Sequence, residues 1–324
     1  MAGKEKGAGG RGRLGRLKRG LTPWLFLAPS LGGVTVFTAV PFLDVIRRSF
    51  QDAMGRRFVG LDNYRAVADN SAFRLAAGNT ARFLLICIPL LMVLSFGAAL
   101  LLAGGADSSR ESGDLEDISG EGDQDGRNRR QRGKRYGIFR TTLVLPMTIP
   151  AAGMVLVWKI FLCPDGVLNQ FLTGVTGQVW EVDWAFSRWA FSVLIATYLW
   201  KNIGYDMILW LAGLGGISGE LYEAAQMDGA GLWARLRYVT IPSLRGTCGL
   251  VGILSVVNSF RVYREAYLLA GSYPDSSIYL LPHLFAHWFL KLDVQKMTAA
   301  AVMLTAAAVI PAAGIWISKR GRKE

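Results

Sequence analysis

Apolar residues in this chain come in long runs separated by charged clusters, not in the alternation of a half-buried strand or the narrow stripe of a soluble helix. Six runs approach the roughly 20 residues that a helix needs to cross about 30 Å of hydrocarbon. Leu21–Leu43, Phe83–Ala103, Thr141–Leu162 and Met297–Ile317 are almost wholly apolar. Phe191–Leu211 carries Lys201, Asn202 and Asp206 inside it, and Cys248–Ser259 continues more weakly through Phe260–Ala270. Ile278–Phe289 is shorter and fits a re-entrant segment. The pattern predicts an all-α, polytopic membrane protein with about six transmembrane helices.

Bulk composition adds less than this distribution. The 324 residues are 52% hydrophobic and 19% charged, with a mean hydropathy of +0.30. A soluble protein could reach the first figure, but not with these uninterrupted runs. The net charge of +12 and a pI near 9.8 would suit a nucleic-acid binder if the chain were soluble. Here the basic residues flank the spans, seven in the first 20 positions and four in the last six. Basic flanks face the cytoplasm, so both termini are expected inside, no nucleic acid is expected, and an even span count follows. Residues 1–20 and 319–324 then form basic cytoplasmic tails. The stretch Cys163–Ser187, without Lys or Arg, reads as outside; the segment 44–78 between the first two spans also reads as outside despite its six arginines. The first run is too long for a signal-peptide core and lacks a small-residue cleavage site, so it reads as a retained helix. Trp158 and Lys159, near the outer end of the third span, read as interfacial anchors.

Between the spans, two polar segments stand out. Residues 104–137 combine an acidic, Gly- and Ser-rich half with a basic block and read as a flexible cytoplasmic loop that leans on membrane lipid. Residues 215–243 are more ordered. Glu220–Met227 holds good helix formers with acids near its start. Gly229 and Gly231 interrupt it, and Asp228 is placed to cap a second helix. Leu232, Leu236 and Val239 share one face of that helix, and Pro242 is expected to end it and lead into the fifth span. Two readings fit: a hairpin lying on the membrane surface, or an element docked in a partner's groove.

This second loop resembles the EAA loop of permease subunits of binding-protein-dependent ATP-binding-cassette (ABC) importers. The matching residues are Glu223-Ala224-Ala225, Asp228-Gly229-Ala230, Leu236, Val239 and Pro242, with Leu236 where the family usually has Phe. Phe26-Leu27-Ala28-Pro29, Pro41, Ser49-Phe50, Phe58-Val59-Gly60-Leu61-Asp62-Asn63-Tyr64, Asn79-Thr80 and Leu211-Ala212-Gly213-Leu214 resemble the carbohydrate-importer branch. Leu269-Ala270-Gly271-Ser272-Tyr273-Pro274 stands where that branch often has Thr-Gly-Gly-Gly-Pro. The resemblance implies a type I ABC importer permease fold. Its first two spans occupy 21–103, a permease core occupies 138–318, and a cytoplasmic coupling helix lies in 215–243. It also implies a dimer of ATPase subunits, a second permease, an extracellular solute-binding protein and a sugar substrate. ATP and Mg would be bound by the ATPase, because the chain has no GxxxxGK[ST] phosphate loop.

Polar residues inside spans are costly and often functional. Trp200, Asn202, Tyr205 and Asp206 in the fourth span, with Asn258 and Arg261 in the fifth, are candidates for a solute path; the competing reading is polar glue between helices. No catalytic constellation or metal site is expected, since the chain offers three cysteines without a CxxC pair and two histidines, His283 and His287. A permease for a non-sugar solute and a stand-alone secondary transporter remain as alternatives; the second usually shows an internal repeat, and none is visible.

Overall fold

The structure, a computed structural model, describes residues 27–110 and 137–320. The basic N-terminal tail, most of the charged loop and the last four residues lie outside them. Among the described residues the chain is helical with a single antiparallel bridge, between Gln51 and Phe58. The helices in chain order are α1 Leu27–Ser49, α2 Asp62–Ala68, α3 Ser71–Arg110, α4 over 137–148, α5 Ala151–Leu162, α6 Val167–Thr176, α7 Ala190–Gly215, α8 Gly219–Met227, α9 Leu232–Ser243, α10 Arg245–Ala270, α11 Leu281–Leu290 and α12 Val294–Arg320.

Among the described residues every expected span is helical along most of its length, but several ends move. α3 begins at Ser71 rather than Phe83, because Asn70 accepts the amide of Phe73 (3.0 Å) and so provides a cap that hydropathy cannot see. It also runs past Ala103 to Arg110. The third run is broken between α4 and α5, where Pro150 adopts extended backbone and starts the second piece. By length and hydropathy, three stretches among the described residues can cross a bilayer: Leu27–Ser49, Ser71–Ala103 and Ala152–Thr176; the bent pair α9 and α10 makes a fourth. α7 holds its three polar residues mid-helix, and the apolar part of α12, Val294–Ile310, is shorter.

Two prolines inside helices share one device. A π turn at Thr35–Ala39 precedes Pro41, and another at Leu236–Thr240 precedes Pro242. In each, the amide just before the proline bonds five residues back, Val40 to Thr35 and Ile241 to Leu236. The wider turn accommodates a ring that would otherwise strike the carbonyl four residues earlier. Pro242 therefore does not end its helix. The break comes at Leu244, where α9 and α10 meet at a 67° bend, and the fifth span starts at Arg245 rather than Cys248.

The chain divides into two compact units, residues 1–73 with 285–324 and residues 74–284. In the first, α12 packs on α1 and α2. The segment after α1 folds back on itself: Asn63 Nδ2 donates to the carbonyls of Ser49 (2.9 Å) and Gln51 (2.8 Å), and the Ser49 and Tyr64 hydroxyls lie 2.6 Å apart. Phe50 packs against both Phe58 and Tyr64. The amides of Arg56 and Arg57 bond the Asp52 carboxylate and hold its pKa below the usual range. The Phe58–Tyr64 motif is thus a structural clasp.

The second unit is built on a seam. Phe83, Cys87, Leu91 and Ser95 recur every fourth residue on α3 and are buried. Phe83, Cys87 and Leu91 meet Phe191, Leu194 and Tyr198 of α7 and Val262, Ala266 and Ala270 of α10. Further along, Ala98, Ala99 and Leu102 meet Met207, Trp210 and Val251, and the Trp210 indole donates to Ser95 Oγ (3.1 Å). Asn79 Nδ2 donates to the carbonyls of Ser276 and Tyr279, while Thr80 Oγ1 accepts the Leu281 amide, so the Asn79-Thr80 pair staples the chain that follows α10.

Close helix approach depends on small residues where van der Waals contact replaces the hydrophobic effect. At Gly204 of α7, an added Cβ would lie 2.1 Å from the Leu143 carbonyl oxygen of α4. Gly204→Ala is expected to destabilise the fold by about 1–3 kcal/mol through overpacking. Gly246→Ala, whose methyl meets open space, serves as the control and leaves stability unchanged or slightly raised. Thermal unfolding in detergent compares them; equal midpoints would show that α4 is not seated on Gly204.

Candidate functional site: a capped hairpin and a polar seam

The segment 215–243 folds as two helices around a tight turn. α8 ends at Met227 with Asp228 at its C-cap, and Gly229 follows in the left-handed conformation (φ 76°). The Ala230 amide donates to the Ala225 carbonyl (2.9 Å) and the Gly229 amide to the Gln226 carbonyl (3.0 Å). These two bonds are a Schellman cap. The spacing from Ala225 to Asp228-Gly229-Ala230 therefore has a physical reason: the helix must stop with one residue at positive φ, and the next amide must reach back five residues. Asp228 does not cap the second helix. Gly231 does so in extended backbone, and α9 starts at Leu232.

Side-chain bonds close the hairpin. The Tyr222 and Thr240 hydroxyls lie 2.9 Å apart, and Arg235 donates to Gln226 Oε1 (3.3 Å). Ala225, Ala230, Leu236, Val239 and Pro242 are half-buried within the element, whereas Glu223, Ala224, Asp228 and Gly229 are exposed. The outer surface is unusually apolar for a polar-looking loop: Met227 is 88% exposed, Leu232 80%, Trp233 71% and Tyr238 74%. The shared face expected for Leu232, Leu236 and Val239 is not kept. Leu232, the first residue of α9, is exposed, whereas Leu236 and Val239, both inside the π turn Leu236–Thr240, are half-buried.

The candidate path residues are dispersed. Asp206 is buried and accepts from Ser255 Oγ (2.7 Å), a link between α7 and α10. Asn202 turns back on its own helix, donating to the Tyr198 carbonyl (2.8 Å). Trp200 stacks edge-on with Trp158 of α5 at 5.6 Å. Tyr205 and Asn258 are half-buried and Arg261 is exposed. Neither the Asn258 nor the Arg261 side chain makes a hydrogen bond or ion pair among the described residues. Their i,i+3 spacing spans a 3-10 turn at Phe260–Val262. For Asp206 the geometry is that of glue between α7 and α10, whereas Asn202 bonds its own helix.

Sequence reasoning missed Glu265. It is buried on α10 and forms an ion pair with Lys201 Nζ of α7. The available signal was charge balance, a lone lysine in one apolar run and a carboxylate at the end of the next. His283 is also buried, its ring against Tyr263 and Tyr279. Among the described residues no group of three or more His, Cys, Asp or Glu could hold a metal ion.

A family model described as the binding-protein-dependent transport system inner membrane component matches residues 126–316, more than half of the chain. The chain belongs to this family. As a member it is an integral membrane permease subunit. Similar proteins include the lactose transport system permease of Rhizobium radiobacter, 28% identical over 250 residues, covering 75% of this chain and 74% of that one. Another is the arabinooligosaccharides transport system permease of Halalkalibacterium halodurans, 25% identical over 88% of this chain and 83% of that one. Among solved structures, a bacterial ABC transporter involved in the import of the acidic polysaccharide alginate aligns with a TM-score of 0.68 at 21% identity, over 95% of this permease and 99% of that chain. The fold is that of type I ABC importer permeases.

Two expectations follow. Gly229→Ala places a Cβ in the left-handed region at a cost of about 1 kcal/mol; amide exchange over 225–231 should rise roughly fivefold, and an unchanged rate would show that the cap does not lock the turn. Lys201→Met or Glu265→Gln alone should destabilise by about 3–5 kcal/mol, because each leaves a buried charge unpaired. The double variant should recover most of that loss in a thermal-unfolding cycle; strictly additive losses would mean the pair is not coupled.

Proposed function

We propose that this permease is half of the transmembrane pathway of an ATP-driven importer for a sugar or related solute. The observation that carries the reading is the hairpin 219–243: internally capped, closed by its own side chains, and covered with exposed Met227, Leu232, Trp233 and Tyr238. A rigid element with an apolar surface suits a partner's groove better than water. The partner is a dimer of ABC ATPase subunits, which bind ATP and Mg. Glu223 supplies a charge to that contact, Ala224 permits close approach, and Ala225, Asp228, Gly229 and Ala230 hold the turn. Leu236, Val239 and Pro242 join the hairpin to α10.

A second permease subunit completes the pathway, and an extracellular solute-binding protein delivers the solute. The sugar assignment is supported by the relatives, which carry lactose and arabinooligosaccharide names. A solved relative in complex with an alginate pentasaccharide-bound periplasmic protein supports the delivery step. The setting is a bacterial plasma membrane with both termini and the hairpin on the cytoplasmic side. Trp200, Tyr205, Asn258 and Arg261 are the side chains proposed to face the solute. ATP-driven closure of the ATPase moves the hairpin, and with it α7 and α10, as a rigid-body switch.

The test is co-expression with the candidate ATPase and second permease, purification through a tag on this chain, and measurement of retained ATPase. Wild type should retain the ATPase, and Glu223→Lys with Gly229→Asp should lose it while staying monodisperse. Binding protein loaded with the correct sugar should then raise ATP hydrolysis. Wild type that is folded yet retains no plausible ATPase would sink the importer reading.

A further inference from the structure

A second site lies away from the hairpin, at the end of α5. A cleft of about 440 Å³ is lined by Lys159 and Leu162 of α5, Cys163 just after it, Asp183, Ala185 and Phe186 of the loop after α6, and Leu269, Ala270 and Gly271 at the end of α10. The loop that forms its rim is held firmly. The Nδ2 of buried Asn169 lies within 3.0 Å of the carbonyls of Cys163, Pro164 and Val182, and its Oδ1 accepts from the Trp184 indole (2.9 Å). The Trp184 amide bonds the Leu162 carbonyl (3.2 Å). One cation and one anion face this cleft. Lys159 makes no ion pair or hydrogen bond through its amine among the described residues. Asp183 uses one oxygen, Oδ1, for the Ala185 amide (3.1 Å), and Oδ2 has no partner among them. Trp158, whose Nε1 is buried without a partner among the described residues, packs on the Val155, Ala185 and Leu269 cluster beneath the cleft.

The surroundings say what kind of molecule reaches this pair. Around Lys159, within three residues, Leu156, Val157 and Ile160 are exposed on an apolar helix. On α6, Val167, Phe171 and Val175 repeat every fourth residue and are all exposed, with Val179 beyond them. Beside them Trp180 stacks on Trp184, and Trp184 meets Trp189 at a tilt of 46°, with centroids 6.4 Å apart at each step. Exposed apolar faces beside clustered tryptophans mark the boundary between hydrocarbon and headgroups in a membrane protein. A charged pair at that depth meets lipid headgroups, and its two signs match a zwitterion.

We infer that the cleft is a binding site for a phospholipid headgroup carrying a primary ammonium, with the phosphate on Lys159 and the ammonium on Asp183. The acyl chains lie against the apolar faces of α5 and α6. A headgroup with a free ammonium donates hydrogen bonds to Asp183, whereas a trimethylated one cannot, and a glycerol headgroup offers no positive charge.

Native mass spectrometry of the full chain, released from nanodiscs of equal parts phosphatidylethanolamine, phosphatidylcholine and phosphatidylglycerol, tests this. Wild type should retain phosphatidylethanolamine roughly tenfold over phosphatidylcholine, the scale of one charge-assisted hydrogen bond. Asp183→Asn keeps the acceptor for the Ala185 amide and should level the three lipids. Lys159→Gln should reduce retention of all three, and Lys159→Arg should restore it. Soluble glycerophosphoethanolamine, which has the headgroup without acyl chains, should leave the lipid in place; equal potency would overturn the assignment to a membrane lipid. Wild-type selectivity persisting in Asp183→Asn, or unchanged retention in Lys159→Gln, would overturn the site itself. Monodisperse elution and an unchanged melting temperature confirm that the variants are folded.

Discussion

A backbone that crosses hydrocarbon has no water to satisfy its amides and carbonyls, so every interruption of a helix needs a replacement partner. The π turn in α1 shows the constraint at work: it keeps the Val40 amide bonded immediately before a proline that has none to offer. Where α5 ends, the Nδ2 of Asn169 lies within 3.0 Å of three carbonyls that its two hydrogens share. Where α10 ends, Asn79 and Thr80 reach across from α3 to bond the chain between Ser276 and Leu281. Motif residues that look like recognition groups in a linear sequence are here spent on repairing the main chain.

The hairpin follows the same logic. Its cap satisfies the last carbonyls of α8 internally, so the turn keeps its shape before any partner arrives. The hairpin runs into α10 through the bend at Leu244. Gly213 of α7 lies against Thr247 and Leu244, where an added Cβ would come 2.5 Å from Thr247 Oγ1 and 3.0 Å from Leu244 Cδ2. Displacement of the hairpin is therefore delivered to the two helices of the polar seam, not absorbed in a loose connector. This is the mechanical requirement that the importer reading places on it.

Much of this was legible in the sequence, and the limits are instructive. Apolar runs located the spans because hydrocarbon thickness sets a length that no other context requires. Their ends were missed where a side-chain cap decided them, as at Asn70. The hairpin and its turn residues were legible from Asp228 and Gly229, yet the role of Asp228 was not, since one residue decides whether it closes a first helix or opens a second. Pro242 looks like a stop in the sequence because the preceding π turn leaves no hydrophobic signature. Lys201 and Asp206 stood out as costly, but their partners Glu265 and Ser255 lie far along the chain, and pairing across such distance is set by helix packing alone.

The Lys201–Glu265 pair also bears on how the chain is made. Synthesis runs from the N-terminus, so α7 reaches the membrane before Glu265 has left the ribosome. A lysine in mid-span costs about 2.5–3.5 kcal/mol on insertion scales. Until its counter-ion arrives, the fourth span is a poor candidate for release into lipid by itself. The order of the two charges thus favours a nascent chain that holds this helix at the insertion machinery and surrenders it together with the fifth, the two entering the bilayer as one electrically balanced hairpin.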